Sequence, residues 1–223
     1  MRRAVSLLFT LGLLLILLII VHDLAFGDAP MLVGKAILAA APEALNTPNV
    51  VTTVVLAYRG LDTLGELAIL FVATTGVGLV LAQAKRPTRP QASGFILVMA
   101  ADILFPFLIV LGAYIILHGH ITPGGGFQGG AILAAAFFIP VLANPNSPLN
   151  AETMMWVEGL AGASFVLIAG LAMLQQGQFL EPIIGTATLG DLFATGSLPL
   201  LYIAVGLKVG SELAGLLSTL ADA

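Results

Sequence analysis

Long, nearly uncharged apolar runs recur along this chain of 223 residues and constrain its fold more than any other feature. A membrane-spanning helix needs about 17 to 25 mostly apolar residues. Charged residues make up only 9% of the chain, whereas about a quarter of a soluble domain is charged. The sequence therefore predicts an all-α integral membrane protein of about six transmembrane helices. We place them at residues 4–21, 62–83, 93–118, 126–143, 153–173 and 195–217.

Composition also excludes several kinds of site. The chain has no cysteine, which removes disulfides, iron–sulfur ligation and cysteine-based zinc sites. A formal net charge of −4 and the lack of an extended basic patch argue against nucleic acid as a partner. No nucleophile–histidine–acid arrangement and no dinucleotide fingerprint occurs, so we expect no cofactor and no catalytic activity of the chain alone.

Basic residues outside the spans predict the orientation. Arg2 and Arg3 place the N-terminus in the cytoplasm, and the cluster at 85–89 returns the chain there after the second span. Six spans then bring the C-terminus to the same side of the cell membrane. The first run follows two arginines as in a signal peptide, but it exceeds the usual apolar core of about 7 to 15 residues, which favours a retained helix.

A basic, proline-rich linker at residues 85–91 separates two modules of unequal size. Residues 1–84 form a two-helix module, and residues 92–223 form a four-helix module. Between the first two spans, Pro42 and Pro48 break a moderately apolar stretch, so it cannot cross the membrane as one straight helix. We expect an irregular outer segment there, buried by other parts of the protein.

Three charged residues mark the start of the second span. Arg59, Asp62 and Glu66 are spaced by three and four residues, which places them on one face if the turn is helical. Charges at the end of a membrane helix must be paired or hydrated. The pattern is typical either of a salt bridge that anchors the helix or of a cation or proton path through Glu66.

Two more charges lie deeper in the predicted spans. Asp102 and Lys208 are both about nine residues from the cytoplasmic ends of their helices, which predicts a similar depth of ~13 Å. They are candidates for a pair that is either structural or part of a transport path. Glu158, near the cytoplasmic start of the fifth span, is a weaker third candidate.

The stretch LHGHITPGGGFQGG, residues 117–130, joins the third and fourth spans. Two nearby histidines are too few for a zinc site, and a phosphate loop needs a lysine that is missing here. The pattern instead predicts a tight turn between closely packed helices. His118 and His120 either cap this turn or exchange protons with Glu66 at the same level. The residues of the predicted packing turn are Pro123, Gly124, Gly125, Gly126, Gly129 and Gly130.

Two groups of motifs resemble subunits of one family. HGHITPGGGFQGG, FLEPIIGTATLGDLF and AVGLKVG resemble the B subunit of Mrp-type multisubunit Na+/H+ antiporters, and more closely its counterpart in archaeal membrane-bound hydrogenase and sulfane reductase complexes. NVVTTVVLAYRGLDTLGE resembles the C-terminal end of the Mrp A subunit. The first resemblance covers residues 91–223, and the second covers residues 32–83.

The resemblance implies an accessory subunit that works beside other antiporter subunits in Na+ and H+ exchange. Glu66 matches a carboxylate of a proposed ion path in the family. Many relatives carry an aspartate where this chain has Ala57, so charge pairing between that aspartate and Arg59 is absent here. A purely structural scaffold subunit is the alternative, and a self-contained carrier is disfavoured because the chain lacks an inverted repeat.

Overall fold

The computed structural model describes residues 2–23, 31–81, 94–144, 151–183, 188 and 191–221. These ranges contain helices and no strand, which confirms the predicted all-α class. Contacts divide the chain into two units, residues 1–36 and 37–223. The helices are α1 (Arg2–Asp23), α2 (Leu32–Ala44), α3 (Val50–Thr53), a π-helical turn (Val54–Tyr58), α4 (Gly60–Leu81), α5 (Phe95–Leu117), α6 (Gly126–Ala143), α7 (Ala151–Gln176) and α8 (Leu198–Ala221).

Five helices of the described ranges, α4 to α8, are long and apolar enough to cross a membrane. The first predicted span is the apolar stretch Leu7–His22 within α1, which is shorter than the other five. Helix α8 begins at Leu198 rather than at residue 195, because the residues before it form hydrogen-bonded turns. The predicted basic linker, residues 85–91, lies outside the described residues.

The segment between the first two predicted spans consists of short elements rather than one helix. Helix α2 runs through Pro42 and ends at Ala44, so the predicted break at Pro42 was wrong. A proline in the last turn removes one backbone hydrogen bond and need not end the helix at once. Pro48 lies in the connection between α2 and α3.

A π-helical turn leads into α4. A π-helical turn is wider than an α-helical turn, so it rotates the side chains that follow and leaves some backbone groups without their usual hydrogen-bond partners. The hydroxyl of Thr63, one turn into α4, donates to the backbone oxygen of Val55 at 2.7 Å. Gly60 starts α4 directly against Leu180, whose Cδ1 would lie 2.0 Å from a Cβ at position 60. The entry to α4 is therefore held from two sides.

Helix α8 is the centre of the second unit and packs against α6, α7 and α4. The contact with α6 depends on small residues. A Cβ at Gly126 would lie 2.6 Å from the Cβ of Val205, and a Cβ at Gly130 would lie 2.8 Å from the backbone oxygen of Gly206. Only glycines allow the two backbones to approach this closely. In lipid, such packing replaces the hydrophobic effect as a source of helix association.

Candidate functional site

The turn between α5 and α6 is held by the segment that precedes α4. Asn49 caps α3 through its side-chain oxygen and donates with Nδ2 to the backbone oxygens of Gly119 at 2.7 Å and Thr122 at 2.9 Å. The hydroxyl of Thr52 also donates to the Gly119 oxygen, at 2.8 Å. The backbone N–H of Asn49 donates to the His120 oxygen at 3.3 Å. These bonds satisfy the carbonyl groups that a tight turn leaves without partners.

The glycines of the turn have two different physical roles. Gly124 and Gly125 have φ angles of +156° and +134°, a region that side chains disfavour. Gly126, Gly129 and Gly130 follow in α6 and allow close packing: a Cβ at Gly129 would lie 2.7 Å from the backbone oxygen of Gly112 in α5. The turn therefore needs glycine first for its backbone conformation and then for helix contact.

His118 and His120 face different surroundings although only one residue separates them. His118 stacks on Tyr114, with ring centroids 4.2 Å apart, and its Nδ1 lies 3.1 Å from the Tyr114 backbone oxygen. His120 is buried, and its ring is nearly parallel to that of Tyr202. Its Nε2 lies 3.1 Å from the backbone oxygen of Asp191. Because a carbonyl can only accept, Nε2 carries the proton in the neutral imidazole.

Burial lowers the pKa of His120, and the nearby His118 lowers it further. Carbonyl groups of Asp191 and Leu117 act in the opposite direction but do not cancel the effect of burial. A lowered pKa means that the imidazole is mostly neutral at pH 7. His120 is therefore a hydrogen-bonding group with one bare nitrogen rather than a fixed positive charge.

Glu66 borders a cavity of about 190 Å³ at the same end of the bundle as the α5–α6 turn. We call this space the Glu66 cavity. Within the described residues, the Glu66 carboxylate has no ion pair, since Arg59 pairs with Asp62 instead. The cavity lining includes hydroxyl-bearing and small residues together with aromatic ones. They include Thr52, Thr63, Gly124, Gly125, Gly126, Phe127, Gln128 and Tyr202, and the aliphatic side chains of Val51, Val55, Leu56 and Val205 complete the lining.

The predicted group of three charges at the start of α4 is thus divided in two. Arg59 Nε donates to Asp62 Oδ2 at 2.6 Å, and both side chains are more than half exposed. Pairs with such exposure contribute little to stability. Glu66, one turn further along α4, is also exposed and borders the Glu66 cavity.

A buried cluster of three charged residues lies further along the bundle; we call it the lysine cluster. Lys208 Nζ lies 2.9 Å from Glu212 Oε2 on the same helix and 3.4 Å from Glu158 Oε1 on α7. The other oxygen of Glu212 accepts a hydrogen bond of 2.7 Å from Thr74 of α4. Lys208 also lies over the ring of Phe71, 5.2 Å from its centroid. The lysine cluster therefore ties α4, α7 and α8 together.

The pair predicted between Asp102 and Lys208 was wrong. Lys208 is occupied by Glu212 and Glu158, and the Asp102 side chain is exposed on α5. Similar depth in the membrane is not enough for contact, because each residue also points in a direction set by its place on the helix. Asp102 reaches the outside of this chain rather than its interior.

Both carboxylates of the lysine cluster border a second cavity, of about 340 Å³. Its lining carries several hydroxyl groups and no further charge among the described residues: Thr74, Thr75, Ser211, Ser218 and Thr219. No group of three or more metal-ligating His, Cys, Asp or Glu side chains occurs in the described parts of the chain. One carboxylate thus borders the Glu66 cavity and two border the second cavity.

A family model described as a domain related to the MnhB subunit of Na+/H+ antiporters matches residues 96–215. This chain belongs to that MnhB-related family. It is 34% identical over 197 residues to an uncharacterised protein of Methanocaldococcus jannaschii, covering 76% of this chain and 74% of the relative. It is also 27% identical over 169 residues to a protein of Rhizobium meliloti described as a probable A/B subunit of a K+/H+ antiporter. That match covers 64% of this chain but only 17% of the relative.

Two solved structures share the fold of this MnhB-related chain. A chain of the membrane-bound sulfane sulfur reductase, an archaeal respiratory complex, superimposes with a TM-score of 0.80 at 38% identity, covering 100% of this chain and 99% of that one. A chain of the Mrp complex from a Dietzia species gives a TM-score of 0.75 at 27% identity, covering 99% of this chain and 26% of that one. The resemblance to these two kinds of complex is thereby confirmed.

Several residues of this MnhB-related site were not predicted from the sequence. Glu212 is four residues after Lys208 on one helix, a spacing that indicates an ion pair. Asn49 precedes a helix start, which is a signal for a cap, but its bonds to the α5–α6 turn depend on tertiary contact. Thr195 and Tyr202 carry no local signal, since only their burial makes them unusual.

Proposed function

We propose that this chain is an accessory membrane subunit of a multisubunit Na+/H+ antiporter module and that its Glu66 cavity borders the ion path. The observation that carries the proposal is Glu66, an exposed residue without an ion pair among the described residues, which borders a cavity near the start of a membrane helix. Such a group is costly in a membrane unless it is paired or hydrated, and hydrated carboxylates of membrane helices commonly mark ion or proton routes. Relatives named as antiporter subunits support the same role.

The chemistry of the Glu66 cavity suits a small hard cation or a proton. A carboxylate binds either of them, and Thr52 and Thr63 border the same space with hydroxyl-bearing side chains. Oxygen ligands of this kind suit hard cations, whereas soft metals prefer sulfur. Occupation by a cation and protonation of Glu66 would exclude one another, which is the property that exchange of the two requires.

The lysine cluster continues this polar route at another level of the bundle. Two carboxylates face one ammonium group there, so one negative charge is not balanced within the cluster. The adjoining cavity gives both carboxylates access to space beside α4 and α7. We assign Lys208 a charge-balancing role in the route, while Asp102 faces outwards towards lipid or a neighbouring protein.

Partners are the other subunits of the antiporter module, in a free-standing antiporter or in a respiratory complex. Helices α4 and α5 leave room for such partners. Only 6% of the most apolar stretch of α4, and 11% of that of α5, is buried within the chain. Their remaining surface is available to lipid and to neighbouring subunits. We place the protein in the cell membrane with both termini in the cytoplasm, as the positions of its arginines and lysines favour.

The test replaces Glu66 with Gln in the assembled complex and measures Na+-driven proton movement in membrane vesicles with a pH-sensitive dye. We expect Glu66→Gln to abolish exchange while the complex still assembles. Asp62→Asn is the matched control, because it also removes one carboxylate from the start of α4 but from an exposed pair. Normal exchange in an assembled Glu66→Gln complex would favour the scaffold alternative.

A further inference from the structure

Three buried polar atoms of the described residues lack a hydrogen-bond partner, and they belong to neighbouring side chains. They are Nδ1 of His120, Oγ1 of Thr195 and the hydroxyl oxygen of Tyr202. The three residues are 1%, 0% and 1% exposed. Native proteins seldom leave buried polar groups unpaired, and each one costs about 1–3 kcal/mol when nothing satisfies it. Three such atoms on neighbouring side chains are better explained by one shared polar ligand than by three independent causes.

The side chains of His120 and Thr195 both lie beside Tyr202. The rings of His120 and Tyr202 are nearly parallel, at an interplanar angle of 12°, with centroids 6.5 Å apart. The Thr195 hydroxyl lies near the Tyr202 hydroxyl, and neither makes a hydrogen bond within the protein. The site is built where the turns before α8 meet the α5–α6 turn, at the first turn of α8.

The chemistry of the three atoms identifies the ligand class. Nε2 of His120 donates to the Asp191 oxygen, so Nδ1 is a bare acceptor, while each hydroxyl group can donate and accept. No carboxylate belongs to the set, and a bare imidazole nitrogen with two hydroxyls is a poor substitute for the oxygen shell of Na+. Water, with two donors and two acceptors, matches this set.

Tyr202 also connects this site to the Glu66 cavity, because it lines that cavity together with Glu66 and Thr63. We propose that His120, Thr195 and Tyr202 hold bound water that extends into the Glu66 cavity and links the imidazole to the carboxylate. A proton taken up by the water on one side is released to the Glu66 carboxylate on the other, and no other bond changes. The proton link rests on the proposed function, whereas the water site does not.

The water site is tested by X-ray radiolytic footprinting of the intact complex, in which radicals formed from bound water oxidise adjacent side chains. We expect Tyr202 to be oxidised at a rate comparable with that of Tyr114, which is 49% exposed. Phe165, fully buried in the apolar core, is the dry control and should stay unmodified. An unmodified Tyr202 beside an oxidised Tyr114 would overturn the proposal.

Variants test the members of the site and the link to Glu66. Thr195→Val should reduce oxidation of Tyr202 several-fold, whereas Thr219→Val, at an exposed hydroxyl of α8, should leave it unchanged. Equal oxidation in both variants would remove Thr195 from the site. Tyr202→Phe should slow proton exchange in assembled complexes, and unchanged exchange would refute the link. Because footprinting requires no transport, failure of the water site is distinct from failure of Glu66→Gln.

Discussion

Replacing Lys208 with Met tests whether the ion pairs of the lysine cluster contribute to the free energy of unfolding as buried pairs do. Methionine keeps much of the apolar stem, which lies against Gly162, but removes the charge. Lys208 and Glu212 are 8% and 3% exposed, so the remaining carboxylate would lose its counter-charge at a largely buried position. After the change, Thr74 remains as its hydrogen-bond donor among the described residues.

The magnitude follows from the distance of 2.9 Å between Lys208 Nζ and Glu212 Oε2. At the effective dielectric constant of ~20 that suits protein sites, this attraction is about 6 kcal/mol before any compensation. Removing the lysine also removes its own desolvation cost, which offsets part of that loss. Breaking one side of a buried pair therefore costs about 3–5 kcal/mol.

The assay is SDS-induced unfolding in mixed micelles, followed by the fluorescence of Trp156, the single tryptophan of the chain. Arg59→Met is the matched control, because its exposed pair with Asp62 should contribute less than about 1 kcal/mol. The double variant Lys208→Met/Glu212→Gln should recover most of the loss, since no uncompensated charge remains at position 212. A loss for Lys208→Met no larger than that for Arg59→Met would refute the reasoning.

Two further predictions concern packing and pH. Gly130→Ala should destabilise the fold by about 1–3 kcal/mol through overpacking against the Gly206 backbone, whereas Gly76→Ala, where a Cβ meets open space, should be neutral or stabilising; thermal unfolding compares them. Because the folded pKa of His120 lies below its unfolded value near 6.5, its contribution to stability should be lost as pH falls below 6.5. The measurement compares the unfolding midpoints of wild type and His120→Asn from pH 5 to 8. His118, the other histidine nearby, is present in both proteins. If the two midpoints change with pH in parallel, the prediction is contradicted.

The membrane spans could be predicted because span length and apolar composition are local properties of the sequence. Residues 126–143 were placed at the same bounds as α6. The start of α8 differed by three residues, because residues 194–197 form buried, hydrogen-bonded turns directly before the helix. Hydropathy measures preference for lipid and does not distinguish a helix from turns that the protein buries.

The charged contacts were harder to predict, because they depend on direction as well as depth. The sequence predicts similar depths for Asp102 and Lys208, yet Asp102 is exposed on α5 and Lys208 pairs with Glu212. A rotation of about 100° per residue separates neighbouring side chains on a helix, so a small error in phase exchanges an inward position for an outward one. Glu158 meets Lys208 only because α7 packs on α8, which no local pattern discloses.

The attachment of α4 has a consequence for how the chain can be divided. Helix α4 packs on α8, the last helix, rather than chiefly on α5, which follows it in the chain. Contacts of Thr74 with Glu212 and of Asn49 with the α5–α6 turn attach α4 and the segment before it to the bundle. Contacts of this kind do not require a covalent connection between the helices that make them. Two separately translated polypeptides, divided between α4 and α5, would retain the same recognition surfaces and could assemble into the same bundle.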